Sequence, residues 1–181
     1  MRIGINLFDF WSPGSRGEGV LNYIRGLLRG LAEVDQHNSY VVFLNRLNDH
    51  EFSWLPHNFE RSVVRLDPRK RRNRVLWEQI LLPLQFRKRQ LDLVHFPGGT
   101  SSILLLSKSV VTHHAANVAF YANNFRSHSI GLRQCYIAVM ERLVIPRAAR
   151  VITVSEFSRQ ELINRLRADP SRIAVVPHAA P

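Results

Sequence analysis

Residues 151–166 read VITVSEFSRQELINRL, an apolar, β-branched run that passes directly into a helical segment. Residues 151–154 are predicted to form a strand covered on both faces, because the run carries no charge. Ser155 follows at once and is a favourable N-cap for a helix over residues 156–166. A buried strand that turns straight into a helix is the repeating unit of parallel α/β sheets.

The same alternation of strand and helix extends over the rest of the chain. Strands are predicted at residues 2–7, 40–44, 62–66, 93–96, 109–112, 151–154 and 173–176. Helices are predicted at residues 19–34, 75–89, 131–144 and 156–166, the second of them kinked or split by Pro83. This order predicts a doubly wound, Rossmann-like parallel sheet, whose ligands lie outside the carboxyl ends of its strands.

Composition limits the class of protein. The chain has 181 residues, 45% of them hydrophobic and 22% charged, which suits one soluble domain with a substantial core. The single cysteine, Cys135, excludes an internal disulfide and lies in an apolar run, so we interpret it as a core residue of a protein in a reducing compartment. Because no run is long enough for a signal peptide or a membrane span, we expect a cytoplasmic protein. The net charge of +11 indicates an anionic partner or neighbouring surface.

Residues 13–19, PGSRGEG, form a glycine-containing loop that opens into the first helix. Backbone amides at such a helix entry favour an anion, although an ordinary flexible turn uses the same glycines. The glycine spacing departs from G-x-G-x-x-G, and Asn45 rather than an acidic residue follows the second strand. No G-K-[ST] motif is present either. These departures argue against a dehydrogenase and against a P-loop ATPase.

Several segments together resemble glycosyltransferase family 4, and their order and spacing fit across essentially the whole chain. The strand followed by S-E-F-S at residues 155–158 is the most specific of them. The matching segments are residues 1–6, 13–19, 21–28, 110–114, 151–158 and 172–178.

The resemblance implies that residues 1–181 are the N-terminal, acceptor-side Rossmann-like domain of a two-domain GT-B enzyme whose donor-binding C-terminal domain is absent from this chain. Such an enzyme transfers a hexose, with retention, from a nucleotide diphosphate sugar to a hydroxyl of a glycan, a lipid-linked saccharide or a natural product. It needs no metal or other cofactor. This half alone is expected to be inactive.

The resemblance also implies which residues face the substrates. His114 takes the place of the histidine that the family motif V-V-T-x-H-D brings beside the transferred sugar, with Ala115 where an aspartate is common. Gly17, Glu18 and Gly19 correspond to the loop below the donor diphosphate, where backbone amides help the leaving group accept charge.

Two further groups are candidates by their position. Gly98, Gly99 and Thr100 turn at the carboxyl end of a strand, where they either line the acceptor pocket or form a plain tight turn. Asn117 belongs to an aromatic-rich loop that suits acceptor binding or simple anchoring of the loop. His113 is interpreted as structural, and no metal site is predicted, because no third ligand has a recognisable spacing.

A basic run precedes the second predicted helix, and it permits two interpretations: contact with an anionic membrane, or a solvated face. Specific nucleic-acid binding lacks a supporting motif. The run consists of Arg69, Lys70, Arg71, Arg72 and Arg74.

The alternative to a transferase is a stand-alone Rossmann-like module that binds a phosphorylated or nucleotide ligand without catalysis. The chain that follows Pro181 in the native protein distinguishes the two: a second α/β domain indicates the enzyme.

Overall fold

The structure, a computed structural model, describes residues 1–11, 18–114 and 132–177. It divides into two compact units, Met1–Pro97 and Gly98–Pro181. The described residues hold seven strands, four in the first unit and three in the second, and every recorded pairing between them is parallel. The predicted parallel, Rossmann-like α/β class is therefore confirmed.

The first unit alternates strands and helices around a central first strand. Its strands lie in the order β3-β2-β1-β4. They are β1 (Arg2–Asn6), β2 (Ser39–Asn45), β3 (Phe59–Val64) and β4 (Leu93–Phe96). Its helices are α1 (Glu18–Val34), α2 (Arg71–Leu76) and α3 (Leu82–Lys88), with a 3-10 turn at Asp49–Phe52.

The core of the first unit forms where α1 packs on β1 and β2. Leu21, Ile24 and Leu28 are buried on one face of α1, at the spacing that helical periodicity requires. In β2, every residue from Tyr40 to Asn45 is buried, as expected for a strand covered on both faces. Each fully buried Leu or Ile contributes about 1.5–3 kcal/mol, so this face holds the unit together.

Strand β3 begins three residues earlier than the sequence predicts. It pairs in register with β2, and the Phe59 ring stacks on the Tyr40 ring at 4.3 Å between centroids. Glu60 and Arg61 come next and are exposed, so the start of the strand lacks the apolar run by which the others were identified. This aromatic pair, formed between strands, decides where pairing begins.

The helix predicted over residues 75–89 begins at Arg71 and is interrupted, as its proline predicts. A π-helical turn, Trp77–Leu81, separates α2 from α3, and Pro83 lies in the first turn of α3. Proline has no N–H to donate and crowds the preceding turn, so a wider turn before it relieves both problems.

The second unit has three strands in the order β5-β6-β7. The strands are β5 (Ser109–His113), β6 (Arg150–Thr153) and β7 (Ile173–Val175). The helices are α4 (Leu132–Val144) and α5 (Glu156–Leu166), with 3-10 turns at Ile103–Lys108 and Pro170–Arg172. Helix α5 contacts β6 and β7, and its Leu162 is fully buried.

The turn between α1 and β2 is organised around the carboxylate of Asp35. Its oxygens accept the backbone N–H groups of His37 and Asn38, the Asn38 side-chain amide and the Tyr40 hydroxyl. The hydrogen bonds from Asn38, and next from Tyr40, hold the pKa of Asp35 far below its usual value. The ionised carboxylate thereby fixes the chain at the entry to β2.

We expect Gly4→Ala to destabilise the first unit by about 1–3 kcal/mol, because the core there has no room for a methyl group. A Cβ at Gly4 would lie 2.9 Å from Leu91 Cδ1, 3.2 Å from Val94 Cγ2 and 3.3 Å from Phe43 Cε2. The control is Gly26→Ala in α1, where a Cβ meets nothing within 4 Å; it should stabilise by about 0.5–1 kcal/mol. Urea denaturation measures both, and equal effects would contradict the close packing.

We expect Asp35→Asn to make the protein less stable at neutral pH and to flatten its loss of stability in acid. The folded pKa of Asp35 lies below the unfolded one, so its contribution is present above the unfolded pKa and is lost as pH falls through the folded value. Thermal unfolding between neutral pH and about pH 2, spanning the usual carboxyl pKa, measures the difference. Glu33→Gln, which removes an exposed carboxylate at the end of α1, should retain the normal pH profile.

Candidate functional site

Two buried asparagines fix the segment that follows β1. Asn45 Nδ2 donates to the carbonyl oxygens of Phe8 (2.8 Å) and Phe10 (2.9 Å). Asn48 Nδ2 donates to those of Leu7 (3.0 Å) and Phe10 (2.7 Å). The Leu7 carbonyl also accepts the Phe10 backbone N–H at 3.2 Å. Unpaired carbonyls at Phe8 and Phe10 would be costly within the protein. The two amides therefore set the path on which the chain enters the glycine loop.

The two asparagines also hold each other in place. Asn48 Oδ1 accepts the backbone N–H of Asn45 at 2.8 Å, and Asn45 Oδ1 accepts those of Leu47 (2.7 Å) and Asn48 (3.1 Å). With each oxygen occupied by N–H donors, each side-chain NH₂ group must face the β1 loop. Sequence reasoning noted Asn45 only for its lack of charge and missed Asn48. The signal available was an N-x-x-N spacing at the end of a buried strand.

Trp77 supports the end of β1 from the π-helical turn. Its Nε1 donates to Asn6 Oδ1 at 2.9 Å, and its ring lies 5.6 Å from the Phe8 ring and 5.4 Å from the Phe43 ring. The ring is buried, so this hydrogen bond gives the indole N–H and the Asn6 side-chain oxygen a partner away from water. Asn6 lies in the family-like segment 1–6, but neither Asn6 nor Trp77 was predicted to be a site residue, because neither carries charge.

The predicted donor-phosphate loop is only partly described. Gly17 lies outside the described residues, and so does the side chain of Glu18. Gly19 belongs to the first turn of α1, and a Cβ there would meet nothing within 4 Å. The role of the three residues in binding phosphate stays a prediction.

In the second unit, β5 ends in a histidine that is held firmly inside the protein. The His113 side chain is 2% exposed, and its Nε2 lies 3.1 Å from Glu141 Oε1 on α4. Thr153 Oγ1 on β6 donates to the His113 carbonyl oxygen at 3.2 Å. Within the described part of the chain, His113 Nδ1 has no hydrogen-bond partner. The contact with Glu141 holds the imidazole ring in one orientation.

The glycine turn predicted to line the acceptor pocket lies against the end of β5. Gly99 has φ of +82°, a conformation that favours glycine, and a Cβ there would lie 3.8 Å from His113 Cδ2. Thr100 is buried, and Gly98 and His114 are partly exposed. The structure thus brings the glycine turn and the histidine pair together at one strand end. Asn117 and the side chain of Cys135 lie outside the described residues.

Ser155 is a helix cap, as its position after β6 predicts. Its Oγ accepts the backbone N–H of Ser158 at 3.1 Å and donates to Ser158 Oγ at 3.0 Å. Glu156 in the first turn binds Gln160 and Arg159, and these hydrogen bonds, in that order, lower its pKa. Phe157, the next residue after Glu156, is largely exposed, which the sequence did not predict.

The basic run is not uniform in its interactions. Arg69, Lys70, Arg71 and Arg72 are exposed and Arg74 is half-buried. Arg69 binds Asp67 with Nε 3.0 Å from Oδ1, which raises the pKa of Arg69 and leaves its charge compensated. Contact of the basic run with an anionic surface stays a prediction.

The described residues form neither a metal-binding cluster nor a membrane-spanning helix. Across residues 1–11, 18–114 and 132–177, no group of three or more His, Cys, Asp and Glu side chains is arranged to hold a metal ion. In the same ranges, no helix combines the length and the apolar character needed to cross a bilayer.

We expect Asn45→Asp to destabilise the first unit by about 2–4 kcal/mol at neutral pH. The substitution replaces two N–H donors by a carboxylate that faces the carbonyl oxygens of Phe8 and Phe10. Asn22→Asp is the matched control, since Asn22 is exposed and its Oδ1 accepts from Arg25, an interaction that an aspartate keeps. Chemical denaturation measures both variants; a stability change within about 0.5 kcal/mol for Asn45→Asp would show that the amide does not hold the loop.

Comparisons with known proteins give the family. The family model of Glycosyltransferase Family 4 matches residues 17–180. A comparison with curated proteins found no match.

Two solved structures share the fold. Sucrose-phosphate synthase from Thermosynechococcus elongatus is similar with a TM-score of 0.59 and 14% identity, over 99% of this chain and 48% of that one. A glycosyltransferase from Rickettsia africae is similar with a TM-score of 0.50 and 15% identity, over 98% of this chain and 43% of that one. The chain therefore spans less than half the length of both proteins. Since the family model covers nearly all of its residues, the chain belongs to glycosyltransferase family 4.

Proposed function

We propose that this chain is the N-terminal, acceptor-side half of a retaining glycosyltransferase of the cytoplasm. The complete protein would transfer a hexose from a nucleotide diphosphate sugar to a hydroxyl of a glycan, a lipid-linked saccharide or a natural product. The observation that carries the proposal is the family match over residues 17–180. The two similar structures, each about twice as long, support the presence of a second, donor-binding domain in the complete protein.

His114 is the proposed substrate-facing residue of the second unit. It follows the buried, Glu141-bound His113 directly and is itself partly exposed. A neutral imidazole there would hydrogen-bond a hydroxyl of the transferred sugar or of the acceptor. Gly98, Gly99, Thr100 and Asn117 are the proposed lining of the acceptor pocket.

The glycine loop is the proposed contact with the leaving group. Backbone amides around Gly17, Glu18 and Gly19 at the start of α1 would stabilise charge that develops on the departing diphosphate. The bond between the anomeric carbon and the phosphate oxygen breaks, and a bond to the acceptor oxygen forms on the same face. The acceptor proton passes to the departing phosphate, so the proposal requires neither a protein nucleophile nor a metal. Asn45 and Asn48 support it by fixing the chain that leads into this loop.

We expect the complete protein, purified from its source, to have a mass roughly twice the 20.9 kDa of this chain and to transfer sugar from a nucleotide diphosphate donor. In that protein, His114→Ala should lower kcat/KM by about 10–100-fold through loss of a hydrogen bond made to the reacting groups. Mass spectrometry and a transfer assay over a panel of donors make these measurements.

The matched control is His50→Ala, an exposed histidine in the 3-10 turn after β2, which should leave transfer unchanged. A native mass near 20.9 kDa, with nucleotide binding and no transfer, would favour the stand-alone binding module instead. Full transfer by His114→Ala would remove that residue from the mechanism and leave the family assignment intact.

A further inference from the structure

Three apolar side chains form an exposed row along the interrupted helix of the first unit. Leu76, Ile80 and Leu84 are 39%, 53% and 55% exposed, and they are spaced four residues apart. We call them the apolar stripe. The opposite side of the same segment is buried through Trp77, Leu82 and Pro83, so the stripe is not part of the core of this unit.

The π-helical turn keeps the stripe straight. In a regular α-helix, residues four apart are rotated by about 40°, so such a row winds away around the helix. The turn over Trp77–Leu81 is wider, and the Leu82 N–H bonds five residues back, to Trp77. It therefore offsets part of that rotation between Leu76 and Ile80. The same turn aims Trp77 inward at Asn6.

Positive charge continues the row at both ends. Arg72 stands four residues before Leu76 and Lys88 four residues after Leu84, and both are exposed, as is Arg87. No ion pair is recorded for these three cations within the described ranges. Arg69 and Arg89, in contrast, bind Asp67 and Glu60.

Negative charge is missing from this face. Between residues 68 and 91 the sequence has one acidic residue, Glu78, and it is buried. The exposed side of the segment thus presents apolar groups between cations and no carboxylate.

We infer that this face is a lipid-binding surface that seats residues 71–88 in the headgroup layer of an anionic membrane. A helix lying in the plane of the interface buries its apolar face at the acyl boundary and keeps its cations at the level of the lipid phosphates. The apolar stripe and the cations Arg72, Arg87 and Lys88 meet both requirements at once. Each such cation strengthens attachment about fivefold.

Charge favours an anionic bilayer over the other possible partners of this surface. A second copy of the chain seated on the stripe would bring cations against cations, which is unfavourable. A polynucleotide would match the cations but leave the three aliphatic side chains without a partner. An anionic bilayer has both an apolar interior and a negative surface. The inference stands apart from the proposed transfer, and a protein held in this way would meet lipid-linked acceptors more often than dissolved ones.

The test is sedimentation of the complete protein with vesicles of phosphatidylglycerol mixed with phosphatidylcholine, against vesicles of phosphatidylcholine alone. Binding should require phosphatidylglycerol and weaken as salt rises. Leu76→Ser/Ile80→Ser/Leu84→Ser should reduce vesicle binding by more than about tenfold. Arg72→Gln/Arg87→Gln/Lys88→Gln should reduce it about 100-fold, at fivefold per charge.

Matched controls separate position from composition. Leu104→Ser removes a leucine that is 72% exposed elsewhere, and Arg29→Gln/Arg46→Gln removes two exposed cations; both should bind vesicles normally. Circular dichroism checks that each variant is folded. If the serine variant is unfolded, vesicle binding by the charge variant decides the test.

Two results would overturn the inference. The first is vesicle binding that is unchanged in either the serine variant or the charge variant. The second is a lower thermal midpoint or a changed oligomeric mass for the serine variant with vesicle binding intact, which would mean that protein covers the stripe. Sugar transfer to a dissolved acceptor is measured in parallel, so failure of the lipid surface is distinguished from failure of the enzyme assignment.

Discussion

The amide groups of Asn45 and Asn48 are the constraint on which the first unit depends at the carboxyl end of β1. A parallel strand that turns toward a helix leaves several backbone carbonyls without partners in the sheet, and here two buried side chains supply the donors. Trp77 donates a further hydrogen bond to the side chain of Asn6, the last residue of β1. The end of the strand is thus fixed before the glycine loop begins, as the proposed contact of that loop with a diphosphate would require.

The second unit fixes its strand end with a hydrogen-bonded pair, His113 and Glu141. Glu141 on α4 holds the ring of His113, Thr153 holds its backbone, and Gly99 lies beside the ring in the preceding turn, at a φ of +82°. Three elements therefore meet at one strand end, with His114 as the next residue and the more accessible of the two histidines. In the proposed role of His114, this fixed neighbour would lower the entropy cost of ordering the imidazole when substrate binds.

A single proline, Pro83, affects both the buried and the exposed side of its helix in the first unit. Pro83 is accommodated by the π-helical turn, which points Trp77 into the protein and leaves Leu76, Ile80 and Leu84 in a row outside. The same wide turn thus serves the support of β1 and the proposed contact with lipid. Neither consequence can be read from the proline alone, because both depend on which face the sheet covers.

The sequence by itself determined the parallel α/β class, the order of the elements and the Ser155 cap, because apolar periodicity and N-cap chemistry act over a few neighbouring residues. Motif resemblance indicated the family, and the family match confirmed it. Only the tertiary structure decided that Asn45, Asn48 and Trp77 serve the end of β1, and that His113 is paired with Glu141. It also decided where β3 begins and which basic residues are already paired. The physical reason is that each of these contacts joins residues far apart in the chain, and only the folded backbone fixes the distances between them.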